Sequence, residues 1–236
     1  MIRFFLFFGI LILSFEIYAA EQVYFKVAVD NSTYTAFMGG KAGLDNTTLN
    51  YLASKMRNQQ FKITDIDRAY YDIAQPVSMR FAGRDVLQYD LKPKNADRFR
   101  HMLMVDSTNE VVHKDVYDPS GKLVYSFTIL EPENSSAKPV TAEGEHEKTN
   151  HCYIGFCVVG KRMLKDGTSH IMLSDGINRF SIFRKRVSGE VSASKKIVYG
   201  NYVMRKKQGD DLFTVVGTIP YSAMQTMIEN YSKLEE

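Results

Sequence analysis

Within twelve residues the chain carries His146, His151, Cys152 and Cys157, donor types that could bind zinc. Their H-x4-H-C-x4-C spacing matches no standard structural or catalytic zinc site. Cys152 and Cys157 are the 2 cysteines of the chain, open to two readings: a disulfide or two buried free thiols. On one straight strand, Cα atoms five residues apart lie ~17 Å apart, whereas a disulfide spans ~4.4–6.8 Å. Pairing therefore requires a turn between them, and Gly155 is the residue able to supply it. Gly155 through Lys161 also fits GxxxxGK, yet Arg162 stands where a phosphate-binding loop needs the Mg²⁺-holding Ser or Thr. His170 beside Ser174-Asp175-Gly176 could be a base near a nucleophile, as in an envelope hydrolase. Ser, Asp and Gly are equally the residues of a tight turn between strands, and that reading is preferred. There is no GxSxG elbow and no HExxH helix. The reading is of a non-enzymatic protein with no catalytic residue, no metal and no cofactor.

What remains is charge. Arg179, Arg184, Lys185, Arg186, Lys195, Lys196, Arg205, Lys206 and Lys207 are interleaved with Phe180, Phe183, Tyr199 and Tyr202. A solvated face accounts for such a set; so does a docking surface for an acidic partner or lipid phosphates. Arg179, Phe183, Arg184, Lys185 and Arg186 are the candidate partner-binding residues. The whole chain of 236 residues is only +3, with 30 Lys and Arg against 27 Asp and Glu, which argues against a nucleic-acid partner. Residues 150–236 nevertheless hold thirteen basic and eight acidic groups.

The elements that must position these residues are mostly strands. Val77–Phe81 alternates with period two and turns through Ala82-Gly83 into Val86–Leu91. Phe99, His101, Leu103 and Val105 share a face of the next strand, with Arg98 and Arg100 opposite. Asp118-Pro119-Ser120-Gly121 has the signature of a type I turn and joins Val111–Tyr117 to Lys122–Leu130. Leu49, Leu52, Ala53 and Met56 predict one helix, running from residue 46 or 47 to about 58. Further on, Ile171–Leu173, Arg179–Lys185, Ile197–Arg205 and Leu212–Thr218 read as strands, with Lys206–Asp211 as a polar loop. A final helix follows Pro220, with Ser222 as its cap and Met224, Met227, Ile228 and Tyr231 in register.

The stretch from Pro132 to Lys148 is nearly devoid of apolar residues and reads as a linker. At the start, Arg3 precedes the twelve-residue run Phe4–Phe15, closed by Glu16 and followed by Ala19-Ala20. A membrane span needs ~20 apolar residues, so this run reads as a cleaved signal peptide. The expected division is 1–20 signal peptide, 21–131 first domain, 132–149 linker and 150–236 second domain. The class is α+β: an antiparallel sheet with a helix on it, then a second sheet ending in a helix.

The first domain carries, in order, Tyr70-Tyr71-Asp72, Arg80-Phe-Ala-Gly-Arg84, Arg98-Phe99, Met104-Val-Asp106-Ser-Thr108 and Asp118-Pro-Ser-Gly-Lys-Leu-Val124. The second carries Met172-Leu-Ser-Asp-Gly-Ile-Asn-Arg-Phe-Ser-Ile-Phe183, then Thr214-Val-Val-Gly-Thr-Ile-Pro220. In this order the motifs resemble the MucB/RseB family of periplasmic regulators of the sigma-E envelope-stress response. The resemblance implies a LolA-like antiparallel half-barrel, here with a shortened start, plus a smaller α+β domain of the RseB type. It implies a periplasmic protein that binds the periplasmic part of a membrane-spanning anti-sigma factor (RseA/MucA type) and protects it from regulated proteolysis. Lipopolysaccharide or lipid is the implied releasing ligand. The alternative is a periplasmic lipid or lipoprotein carrier, and a homo-oligomer is left open.

Overall fold

The computed structural model describes residues 22–29, 32–37, 60–130, 151–198 and 200–235. The signal peptide over 1–20, the helix expected at 46–58 and the linker at 132–149 lie outside the described residues.

Two open antiparallel sheets carry the fold. The first holds β1 (Gln22–Val29), β2 (Ser32–Phe37), β3 (Tyr71–Ile73), β4 (Val77–Phe81), β5 (Arg84–Pro93), β6 (Arg100–Asp106), β7 (Val111–Tyr117) and β8 (Leu123–Leu130). Its order is β2-β1-β8-β7-β6-β5-β3, and β4 pairs with the opposite end of β5 from β3. The second sheet holds β9 (Cys152–Tyr153), β10 (Phe156–Met163), β11 (Ser169–Ser174), β12 (Arg179–Arg186), β13 (Ser194–Val198), β14 (Asn201–Gln208) and β15 (Asp211–Gly217). Its order is β13-β14-β15-β12-β11-β10-β9, so the connection after β12 crosses to the far edge and the chain pairs its way back. Two helices follow, α1 (Tyr221–Glu229) and α2 (Ser232–Glu235). This is the expected α+β class, an open half-barrel-like sheet with a second sheet that ends in a helix.

Turn chemistry explains the hairpins. Ala82 and Gly83 both take positive φ, 48° and 83°, as a two-residue loop matched to strand twist requires. The carbonyl of Asp118 accepts the Gly121 N–H at 2.9 Å, and its carboxylate accepts from the backbone of Ser120 and Lys122. Three expectations need correction. Ile197–Arg205 is not one strand, because the chain reverses around Gly200 (φ 72°) between β13 and β14. The polar loop expected over Lys206–Asp211 shrinks to Gly209-Asp210, since Lys206–Gln208 continue the ladder against β15. Pro220, not Ser222, caps α1; the Ser222 hydroxyl instead donates to the Ala96 carbonyl at 3.5 Å.

Alternation along β6, β7 and β8 buries Leu103, Val105, Val111, Phe127 and Ile129 in one cluster with Phe61, Ile66 and Tyr71. Ala223, Met224, Met227 and Ile228 of α1 lie against Val158, Ile171, Leu173, Ile182, Met204 and Val215 in the other. That second cluster also takes in Phe99, Val116 and Val124 from the first sheet. The two sheets therefore share apolar burial.

Candidate functional site

Among the described residues, a buried polar cluster lies where the sheets meet. The turn Ser174-Asp175-Gly176-Ile177-Asn178 joins β11 to β12, and its residues are those any exposed turn would use. Here it is pushed into the first sheet. A Cβ on Gly176 (φ 95°) would sit 2.4 Å from the Asp65 carbonyl oxygen, so only glycine fits. Ile177 packs against the cluster around Leu103 and Phe127.

Asp175 organises this junction. One carboxylate oxygen accepts the Ile177 and Asn178 backbone N–H groups at 3.1 and 2.7 Å. The other accepts from the Tyr71 hydroxyl (2.9 Å), Arg98 Nε (3.1 Å) and Asn178 Nδ2 (3.0 Å). Asn178 also donates to the Tyr71 oxygen at 2.6 Å, and its Oδ1 accepts from His101 Nε2 at 2.8 Å. Arg98 is fully buried, although alternation had placed it opposite the core; it lies in the bend just before β6, outside the strand. Its other nitrogens reach Asp97 Oδ2 (2.6 Å) and the Ile154 carbonyl (2.5 Å). The Tyr70 and Phe156 rings lie 4.1 and 4.3 Å from the guanidinium carbon. A charge taken out of water on this scale persists only when paired and hydrogen-bonded on every side.

Burial sets the protonation states here. Burial lowers the His101 pKa well below its usual value, Lys114 lowers it further, and the bond to Asn178 only partly opposes them. His101 is therefore neutral, with the proton on Nε2. Burial also brings Lys114 down to about 8, with Asp175 opposing and Arg179 adding to the fall. Burial, then the neighbouring Asp175 charge, pushes the Tyr71 hydroxyl far above the ordinary phenol range, so it stays a donor.

A second region has the opposite character. On the face of the second sheet away from α1, the ladder aligns Arg205, Thr214, Phe183, His170 and Arg162 across five strands. At ~4.8 Å per strand the row is about 19 Å long. Phe183 stacks on His170 with ring centroids 4.3 Å apart, and both terminal arginines are exposed. Arg162 Nε donates to His170 Nδ1 (2.9 Å), so His170 Nε2 carries the proton toward the Ser181 hydroxyl (3.0 Å). Burial and the Arg162 charge lower the His170 pKa.

The five residues singled out on β12 divide between the two faces. Arg179, Phe183 and Lys185 lie on this open face, Lys185 bound to Asp166 at 2.8 Å. Arg184 points to the helical side, where it pairs with Glu235 at 2.9 Å and covers the Tyr231 ring. Arg186 is exposed at the strand end. Elsewhere in the basic set, Lys206 pairs with Glu229 and Lys195 lies over Tyr221. Alternation along β12 sets Arg184 on the face of the buried Phe180 and Ile182, but its partner Glu235 lies 51 residues further on and is not legible within the strand.

The catalytic readings fail on geometry. Both ring nitrogens of His170 are occupied, and Ser174, four residues along the same strand, lies ~13 Å away by strand rise. The Ser174 hydroxyl accepts the Gly176 N–H instead. Gly155 to Lys161 runs from a turn into a strand, with no helix N-terminus to hold phosphate. Cys152 and Cys157 are bonded to each other, which removes both thiolates from the zinc set.

Residues 148–232 match the MucB/RseB C-terminal domain family. No curated protein matches the sequence. In fold, the chain is similar to the complex structure of Pseudomonas aeruginosa MucA/MucB, at 16% identity and a TM-score of 0.58. That match covers 87% of this chain and 90% of the other. It is also similar to MucB in complex with MucA(peri), at 17% identity and a TM-score of 0.56, with the same coverage. MucB crystallised by itself aligns at 17% identity and a TM-score of 0.54, covering 87% of this chain and 88% of that one. Residues 148–232 are thus similar to the MucB/RseB C-terminal domain, and the two sheets together have the fold seen in MucB.

Proposed function

We propose that the protein is a periplasmic, non-enzymatic regulator that binds the periplasmic segment of a membrane-spanning anti-sigma factor and shields it from regulated proteolysis. The observation that carries this reading is the fold likeness across 87% of the chain to MucB, whose solved structures include complexes with MucA. A C-terminal domain of the same family supports it. Binding alone suffices as mechanism: at ~100 times Kd, occupancy lowers the free, cleavable target by about 2.7 kcal/mol. Export by a cleaved signal peptide at 1–20 belongs to the same reading, as does release by lipopolysaccharide or lipid.

The open face of the second sheet is the proposed contact surface. The Phe183–His170 stack offers an apolar centre and Arg162, Arg179 and Arg205 offer a cationic surround, which suits a segment combining an apolar anchor with acidic residues. Mature protein mixed with the anti-sigma factor's periplasmic segment should slow its cleavage, and unchanged cleavage at saturation would defeat the reading. Adding lipopolysaccharide should restore cleavage. Acyl lipid co-purifying with the protein, without any protection of the segment, would point to a lipid carrier.

A further inference from the structure

The short hairpin of β9 and β10 ends in a turn that its own sequence disfavours. Tyr153 and Phe156 pair across it, leaving Ile154 (φ 45°) and Gly155 (φ 77°) as a two-residue loop with both φ angles positive. Such loops favour Asn or Asp before Gly. A β-branched residue in the left-handed region is a conformational outlier that persists only where its surroundings impose it. The imposing element is next to it. Cys152 and Cys157 face each other across the hairpin and are joined by a disulfide. Beyond them the Val158 N–H donates to the His151 carbonyl at 2.9 Å. β9 is only two residues long and forms the sheet edge, so the ladder alone holds it weakly.

This strained turn is part of the junction. The Ile154 carbonyl accepts from Arg98, and the Phe156 ring packs against the same guanidinium. A Cβ on Gly155 would lie 2.2 Å from the Tyr70 ring, which itself lies 4.1 Å from the Arg98 guanidinium carbon. Cys152 is exposed.

We infer that the Cys152–Cys157 disulfide is a redox latch on the join between the two sheets. The co-reactant is a dithiol reductant. Its thiolate attacks the Cys152 sulfur, the S–S bond breaks, and Cys157 leaves as a thiolate that takes up a proton. The second thiol of the reductant then attacks the mixed disulfide and releases Cys152, so the dithiol is oxidised and two cysteine thiols form. With the clamp open, Ile154 relaxes toward negative φ and carries its carbonyl away from Arg98. The junction then loses a hydrogen bond and a stacking ring at Arg98. The latch concerns only the join between the sheets and is independent of the partner's identity.

Hydrogen exchange of the full mature chain, oxidised and after dithiothreitol, tests it. Reduction should speed exchange about tenfold or more in the hairpin at 151–158 and also at 97–101 and 174–178, with β14 and β15 little changed. Acceleration confined to the hairpin would overturn the latch, because the disulfide would then be a local staple. Equal acceleration through β14 and β15 would also overturn it, as loss of overall stability. Ile154→Asn, which suits the turn, should keep junction protection under reduction; a loss as large as in the unmodified chain would contradict the proposal.

Discussion

Arginine serves opposite ends in two regions of this protein. At the junction Arg98 is fully buried, with two carboxylates, a backbone carbonyl and two aromatic rings around it. On the open face of the second sheet Arg179 and Arg205 stand exposed. The lesson is energetic. A buried guanidinium must spend its donors on internal partners, so its removal is felt in stability. An exposed one keeps donors and field for an incoming partner, so its removal is felt in association.

The comparison can be broken most sharply at Arg98. Arg98→Ala leaves Asp175 buried without its cation and should cost about 3–5 kcal/mol, read as a lower denaturant midpoint. A loss under about 1 kcal/mol would mean that the junction does not bear on stability. Gly176→Ala forces a Cβ against the Asp65 carbonyl in a left-handed conformation and should cost about 1–3 kcal/mol by the same measurement.

Titration sharpens the contrast. The folded-state pKa of His101 is depressed, chiefly by burial, so below the unfolded value of 6.5 the unfolded chain binds a proton that the folded chain refuses. Stability should therefore fall as pH drops through this range. Lys114, at about 8 when folded against 10.5 when free, adds a rise in stability as pH climbs between those values. Urea midpoints across pH check both slopes, and His101→Gln should flatten the acid one. The open face should give the smallest stability effect: Arg162→Glu with Arg205→Glu stays within about 0.5 kcal/mol. The same pair should slow association with an acidic anti-sigma segment several-fold, most at low salt. Association unchanged by this double reversal would remove that face from the contact surface.

Much of this arrangement is legible in residue order. The period-two strands, the Asp118–Gly121 turn, the Ala82-Gly83 reversal and the apolar stripe of α1 follow from local sterics and patterning. The Ser174–Asn178 turn is legible too, but only as a turn. Its burial depends on Tyr71 and Arg98, which precede it by 104 and 77 residues. Alternation placed Arg98 opposite the core because it treats the residue as part of β6, whereas Arg98 lies in the bend before that strand and turns to Asp175 of the second sheet. Reading Ile197–Arg205 as one strand failed because β-branched and aromatic residues flank Gly200 on both sides and hide the reversal.

By itself, then, the amino-acid order determined which segments are strands, where most hairpins close, and which family the second half resembles. These depend on dihedral preferences and side-chain alternation within a few residues. Only the tertiary structure decided which cations are consumed and which stay free, and that a common polar turn is the join between the sheets. Burial and pairing are set by residues far apart in the chain, and their energies exist only once those residues meet.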